Sequence, residues 1–281
     1  MWHDKKMVRK SKVAVTQVCS KADVGVNLDT CRRLVAEAAQ AGAEVVGLPE
    51  NFAFIGADDV LLALGESFED PGPILQACSQ MAHTNEVHLI VGGFPERSAV
   101  PTHVYNTCFH CLPDGNIAER YRKIHLFDVN LADGTCFSES SRTAAGSDLV
   151  TTQLPFGTLG LSICYDLRFP LLYQGLVDAG AIALAIPAAF TLTTGRAHWH
   201  TLLRARAIEC QSYVIAPAQY GRHDFGNRHS FGHALIYDPW GEVAAECTAE
   251  EPSFAVAEID PELISRVRSQ LPSLEHRRPL Q

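Results

Sequence analysis

Leu159-Gly160-Leu161-Ser162-Ile163-Cys164-Tyr165-Asp166-Leu167-Arg168-Phe169-Pro170 changes character at a single residue. Up to Ile163 it is an apolar run of the kind a buried strand carries. At Cys164 it turns polar, and Pro170 stands where a helix opens, since a missing N–H is tolerated at the first helical position. Such a junction presents a thiol at the carboxyl end of a strand, where α/β folds usually place their chemistry. A helix N-terminus and a cationic neighbour would lower the thiol pKa and favour the nucleophilic thiolate. Buried structural cysteines are common, however, and Asp166 and Arg168 in the flank do not by themselves separate the two readings.

Working outward, the chain alternates between strand-like and helix-like patterns. Residues 12–18 alternate, and 27–40 carry Leu28, Cys31, Leu34, Val35 and Ala38 at helical spacing before Gly42, a natural helix stop. Val45-Val46-Gly47-Leu48 is a buried strand halted by Pro49. A helix at 74–83 and a strand at 87–91 follow; then come alternating runs at 104–112 and 117–121 around Pro113-Asp114-Gly115, a hairpin signal. Beyond Cys164 the pattern predicts helices at 171–179, 197–210 and 261–269. Strands are predicted at 148–154, 182–186, 213–216 and 254–259, with a hairpin turning at Asp238-Pro239-Trp240-Gly241. Residues 127–146 have no sustained period and read as a surface excursion, a kind of long loop that is often functional. Parallel neighbours need crossovers, whereas tight turns join antiparallel ones, so the mixture predicts an α/β fold of mixed sheets covered by helices. With no linker, repeat or low-complexity tract, one domain is expected over residues 1–281, its core at about 12–260 and a C-terminal helix and tail at 261–281.

Composition narrows the functions. Hydrophobic content of 47% and charged content of 20% suit a globular enzyme. A formal charge of −9, with no lysine/arginine run outside Met1-Trp2-His3-Asp4-Lys5-Lys6, excludes nucleic acid as a principal partner, because a phosphate backbone calls for a basic patch. No segment approaches the roughly 18 apolar residues of a membrane span, and no export signal is evident. Nine scattered cysteines, an odd number, fit reduced thiols in a cytoplasm better than a disulfide framework.

Two further sites give Cys164 chemical company. Leu48-Pro49-Glu50-Asn51 sets a carboxylate at the end of another apolar strand; Arg120-Tyr121-Arg122-Lys123-Ile124-His125-Leu126 ends a hairpin strand with a lysine. Each alone reads as an ordinary surface or capping charge. Together, thiol, carboxylate and ammonium suffice for acyl transfer: the carboxylate moves the proton, and the ammonium with a backbone N–H holds the oxyanion.

In their order and spacing, Leu48-Pro49-Glu50, the Tyr121–Leu126 run and the Cys164–Pro170 run resemble the three signatures of the nitrilase superfamily of carbon–nitrogen hydrolases, with similarity from about residue 12 to residue 279. The resemblance implies Cys164 as nucleophile, Glu50 as general base and acid, Lys123 as oxyanion stabiliser with the N–H of Tyr165, and Glu139 as a second, orienting glutamate. It implies an α-β-β-α sandwich of two mixed sheets, a homodimer or higher homo-oligomer, and no metal or organic cofactor. Pro187-Ala188-Ala189-Phe190-Thr191, the stretch from Thr194 to Trp199, residues 202–209, Gly221-Arg222-His223 and the tail from Leu274 to Pro279 resemble the Nit branch, with Arg196 and His200 as departures from it. That branch implies hydrolysis of the γ-amide of the 2-oxo analogue of glutathione, a metabolite-repair reaction. An ω-amidase acting on 2-oxo acid amides is the runner-up, and a nitrilase or N-carbamoyl amidohydrolase ranks below it. Arg168 is a candidate carboxylate clamp, His198 and Ala189 further substrate contacts, and Arg204, Arg206 and Glu209 structural ion pairs along one helix.

Two other classes remain as expectations to weigh. Cys108-Phe109-His110-Cys111 and His198-Trp199-His200 raise a zinc hydrolase, against which stand their positions within one strand and on different sides of one helix. A catalytically silent interaction module would have no need of three chemically matched groups.

Overall fold

Ser11–Val18 is buried on both faces along most of its length, which marks it as an inner strand. It pairs in parallel with Val45–Leu48 and antiparallel with Ser253–Ile259. The computed structural model describes residues 8–130, 136–248 and 250–278; the basic opening at 1–6, residues 131–135 of the long excursion and Pro279 of the tail lie outside them. Helices are α1 Val24–Gln40, α2 Asp58–Ala63, α3 Pro73–Asn85, α4 Pro170–Asp178, α5 Leu192–Cys210 and α6 Pro261–Gln270.

Both large sheets are mixed, parallel at the centre and antiparallel toward the edges. In the first, Val45–Leu48 runs parallel to Ser11–Val18 and to His88–Arg97, which then continues through the antiparallel strands Val104–Cys111 and Ile117–Arg122. In the second, Ala183–Ala185 lies parallel between Gly157–Leu161 and Tyr213–Ala216, with Thr151–Leu154 antiparallel at one end and the Leu235–Tyr237/Val243–Glu246 hairpin at the other. The period-2 alternation assigns the faces. Val13, Val15 and Cys108 point into a core shared with Leu159, Leu161 and Ala183 of the second sheet. Ala14, Val46 and Cys111 point the other way, into a core with Leu34 and Val35 of α1 and Leu75 and Cys78 of α3. With α4 and α5 packed on the second sheet, this is the expected α-β-β-α sandwich. Each fully buried Val or Leu in these layers contributes roughly 1.5–3 kcal/mol.

Local signals explain where elements differ from expectation. α1 starts at Val24, ahead of the predicted 27, because the Asp23 side chain accepts from the Val26 N–H and caps it. α5 starts at Leu192, not 197, behind Thr191 as its cap; Gly195, which weakens the helical pattern, is needed because a Cβ there would lie 2.3 Å from Phe231. The 127–146 excursion contains a hairpin, Asp128–Asn130 with Cys136–Ser138, and a turn of 3-10 helix, Glu139–Ser141. These segments are too short to show a period. No helix among the described residues is long and apolar enough to cross a membrane, and none of the nine cysteines is in a disulfide.

Candidate active site

Four chain segments end at one place. Glu50 follows Val45–Leu48, Lys123 follows Ile117–Arg122, Cys164 follows Gly157–Leu161 and Ala189 follows Ala183–Ala185, so each residue stands beyond the carboxyl end of its strand. All four line a cavity of about 520 Å³ together with Glu139 and Asn106.

The junction at Cys164 is strained. Its φ is +47°, in the left-handed region that a cysteine rarely adopts and that costs of order 1–3 kcal/mol. The surroundings enforce it: the Cys164 N–H donates to the Pro187 carbonyl at 2.9 Å, and the next turn is 3-10 helix from Cys164 to Arg168. Asp166, fully buried, fastens this turn. It accepts from the Ile163 N–H at 2.9 Å, the Tyr121 hydroxyl at 2.7 Å and the His125 N–H at 3.0 Å, and its Oδ1 lies 2.7 Å from His125 Nδ1. Tyr121 and His125 bracket Lys123 in sequence, so Asp166 ties the lysine segment to the nucleophile turn. The Tyr165 amide lies within this turn, directly after Cys164.

Lys123 is 1% exposed and lies between two carboxylates. Its Nζ donates to Glu50 Oε1 at 2.9 Å and to Glu139 Oε1 and Oε2 at 3.1 and 2.8 Å. Glu50 Oε2 accepts the Ala189 N–H at 2.9 Å, and Glu139 Oε2 accepts the Phe127 N–H at 2.6 Å. Asn106 donates through Nδ2 to both acids, at 3.0 Å each. Serving two carboxylates fixes its amide orientation and leaves its buried Oδ1 without a partner among the described residues. Gly93 makes room for it: a Cβ there would come within 2.2 Å of that Oδ1 and 3.1 Å of Glu50 Cγ.

Electrostatics sort the protons. Burial would raise the Glu50 carboxyl, but the Lys123 charge and the hydrogen bonds from Lys123, Cys164 and Ala189 outweigh it and hold the group below the usual carboxylate range. Burial would lower Lys123, yet Glu139 and Glu50 push it well above its ordinary value. Burial and then the Glu50 charge push the Cys164 thiol up, with Lys123 only partly opposing them. The expectation of a lowered thiol pKa is therefore corrected: the cysteine is 8% exposed and faces a carboxylate. These directions favour a proton on sulfur and an ionised Glu50 beside it.

The remaining candidates scatter. Arg168 lines a small side cleft with Tyr165, Ala189, Phe190 and Thr194, and its guanidinium lies over the rings of Tyr165 and Phe190. It has no carboxylate partner among the described residues. His198 is exposed and reaches the site only through Arg168, with Nδ1 3.3 Å from Nη1. Ala189 contributes its backbone N–H and lines both spaces. Arg196 and His200 line neither; His200 Nε2 and His233 Nδ1 meet Glu246 Oε1 at 2.9 and 2.7 Å. Arg206 pairs along its helix with Glu209 as expected, whereas Arg204 reaches off it to Glu242. Cys108 and Cys111 belong to opposite faces of their sheet and cannot share one ion. Asn106 was missed as a site residue. Within the alternating run at 104–112 it reads as one more strand position, and only its convergence with Glu50 and Glu139 marks it.

A family model described as carbon-nitrogen hydrolase matches residues 12–269. The chain is 45% identical over 271 residues to a deaminated glutathione amidase of Synechocystis sp., covering 94% of this chain and 97% of that protein. It is 43% identical over 272 residues to the Homo sapiens protein of the same name, covering 95% and 82%. Among solved structures, Saccharomyces cerevisiae Nit3, described as a member of branch 10 of the nitrilase superfamily, superposes with a TM-score of 0.85 at 30% identity, covering 96% of this chain and 97% of that one.

Proposed function

The chain belongs to the carbon–nitrogen hydrolase family, and from that premise we propose that it is a deaminated glutathione amidase: it hydrolyses the γ-amide of the 2-oxo analogue of glutathione, giving 2-oxoglutarate and cysteinylglycine, through a thioester on Cys164. The relatives at 43–45% identity bear that name. The observation that carries the chemistry is the cluster of buried Glu50 and Lys123 with part-buried Glu139, set against a strained Cys164 whose thiol is pushed up.

The steps follow from that arrangement. Glu50 takes the thiol proton as sulfur attacks the amide carbonyl, so no free thiolate need accumulate. The oxyanion is held by Lys123 and the Tyr165 N–H. Collapse breaks the C–N bond; the leaving amine takes the proton from Glu50, and a thioester remains. Glu50 then removes a proton from water, hydroxide adds to the thioester, and collapse releases the acid and a thiolate that recovers its proton from Glu50. Arg168 is the candidate clamp for the carboxylate of the 2-oxo acid, its planar guanidinium offering two parallel donors at the edge of the side cleft. His198 would act through Arg168.

Unpaired cysteines support placement in a reducing cytoplasm as a metabolite-repair enzyme. Leu171 on α4, 77% exposed, and Ile208 on α5, 47% exposed, support a homodimer that covers apolar surface on these helices. Rates on deaminated glutathione, 2-oxoglutaramate and a simple nitrile, with Cys164→Ala as control, test the reading. Deaminated glutathione should be turned over fastest, and the variant should fold without turnover. Faster turnover of 2-oxoglutaramate would transfer the assignment to an ω-amidase, and substantial activity in the variant would sink the mechanism.

A further inference from the structure

The 520 Å³ cavity is much larger than the catalytic groups need, and its charge is unevenly distributed. Around the nucleophile the fixed charges are Glu50, Lys123 and Glu139, a net negative set that repels a second anion. The far wall carries Arg142 and Arg228, which line the same cavity and have no carboxylate partner among the described residues. Neighbouring arginines are different: Arg122 forks onto Glu96 at 2.6 and 2.9 Å, and Arg120 faces Glu69 and Glu96. Asp58, also in the wall, sits in the first turn of α2, where a negative charge suits the helix terminus.

An aromatic run connects the two ends. Tyr165, next to the nucleophile, meets Phe127 with ring centroids 5.0 Å apart; Phe127 meets Phe137 at 5.3 Å; and the Arg228 guanidinium lies over Phe137 at 5.5 Å. Arg142 follows the Glu139–Ser141 turn, its N–H donating to the Glu139 carbonyl at 3.2 Å and its own carbonyl accepting the Val104 N–H at 2.9 Å. Both cations are thus set on ordered backbone, one turn or a few rings away from the reacting atoms. A dipeptide leaving group held over the Phe127 and Phe137 rings would carry its terminal carboxylate toward this wall.

We propose that Arg228, with Arg142, forms a leaving-group subsite that binds the C-terminal carboxylate of a short peptide amine. The inference rests on the amidase reading above and sharpens it. Arg168 belongs to the side cleft, so within this cavity the leaving-group anion is met by Arg142 and Arg228. Ammonia, the leaving group of a simple amide, cannot use this binding energy. Guanidinium–carboxylate pairing in a partly enclosed site supplies the selectivity.

The test compares deaminated glutathione with its C-terminal amide, in which glycinamide replaces glycine. Wild-type kcat/KM should favour the acid at least tenfold, mainly through KM. In Arg228→Gln, and further in Arg142→Gln/Arg228→Gln, that preference should shrink to about twofold or less, while Arg228→Lys keeps part of it. Cysteinylglycine should inhibit the wild type more strongly than cysteinylglycinamide. If the wild type turns over acid and amide equally well, the subsite is refuted and the amidase reading stands; this comparison needs no variant to fold. If neither is turned over, both readings fall. A full acid preference in Arg228→Gln also overturns the proposal.

Discussion

Glu139→Gln exchanges one carboxylate oxygen for an amide nitrogen and keeps the side chain's shape. In the wild type Glu139 accepts two hydrogen bonds from Lys123, one from Asn106 and one from the Phe127 N–H. A hydrogen bond to a charged group is worth roughly 1.5–3 kcal/mol and a neutral one about 0.5–1.5 kcal/mol, so the exchange forfeits about 1 kcal/mol per bond. If some of that loss is recovered by relaxation, about 3 kcal/mol remains, which is roughly 100-fold in rate. The loss falls on kcat, because Glu50 turns neutral when it accepts the thiol proton and only Glu139 then keeps the buried ammonium charged. The pH profile gives an independent reading. Burial lowers the Lys123 pKa, and the Glu139 charge is the largest influence opposing it. Without that charge the pKa falls, and activity that needs the ammonium is lost as pH rises through the lowered value. Release of 2-oxoglutarate, followed between pH 5 and 10, should show kcat down about 100-fold, KM within threefold of wild type, and a falling basic limb where the wild type, with Lys123 held well above its ordinary value, stays flat. A folded variant with kcat/KM within threefold of wild type, or with no falling basic limb, would refute the reasoning.

Other outcomes follow from the same geometry. Gly93→Ala places a Cβ 2.2 Å from Asn106 Oδ1, so it should cost about 1–3 kcal/mol in stability and reduce kcat at least tenfold; unchanged melting and turnover would contradict the tight fit. Asp166→Asn puts an amide N–H₂ where only donors converge, and should lower the unfolding free energy by roughly 2–4 kcal/mol in a denaturant titration, with no change counting against its fastening role. Because Glu50 is held below the ordinary carboxylate range, the acid limb of kcat/KM should lie below that of an ordinary glutamate, and a limb at or above it would contradict the arrangement. Because the Cys164 thiol is pushed up, its alkylation rate should still be climbing at pH 9; a plateau near neutrality would mean a resting thiolate.

The layers of the fold were legible because they rest on periodicity. Val13, Ala14 and Val15 alternate between two cores, and the hairpin at Asp114-Gly115 could only join antiparallel neighbours. Glu50 and Cys164 stand where apolar runs end and Lys123 where a hairpin strand ends; alone each reads as ordinary, the resemblance joins them, and the structure brings all three into one cavity. What stayed hidden depends on through-space terms. The direction of the Cys164 shift turns on its burial and on a carboxylate more than a hundred residues away in sequence. Asn106 lies within a strand pattern and gains its part from Glu50 and Glu139. His198 and His200, adjacent on the page, diverge on α5 toward Arg168 and Glu246. Arg142 and Arg228 carry no local signal; only the cavity between them makes them a pair.

Two glutamates flank one lysine, and the proposed mechanism makes Glu50 the base. Their partners support that choice. Both oxygens of Glu139 are taken, Oε1 by Lys123 and Asn106 and Oε2 by Lys123 and the Phe127 N–H, and among the described residues Glu139 makes no hydrogen bond to Cys164. Glu50 shares Lys123 and Asn106 but also meets the Cys164 thiol, and the Ala189 N–H fixes its other oxygen. Proton transfer from sulfur to Glu50 leaves the total charge of the site unchanged. It moves negative charge from the carboxylate to the sulfur, and attack then moves it to the carbonyl oxygen. At each stage Glu139 remains opposite Lys123, so the ammonium need not surrender its proton to compensate. Under the proposed mechanism the pair is therefore unequal: one carboxylate would exchange protons with the reacting atoms, and the other would hold the charge that stabilises the oxyanion. Interchanging the two roles would require Glu139 to abandon the Phe127 amide and reach the thiol, which its hydrogen bonds forbid.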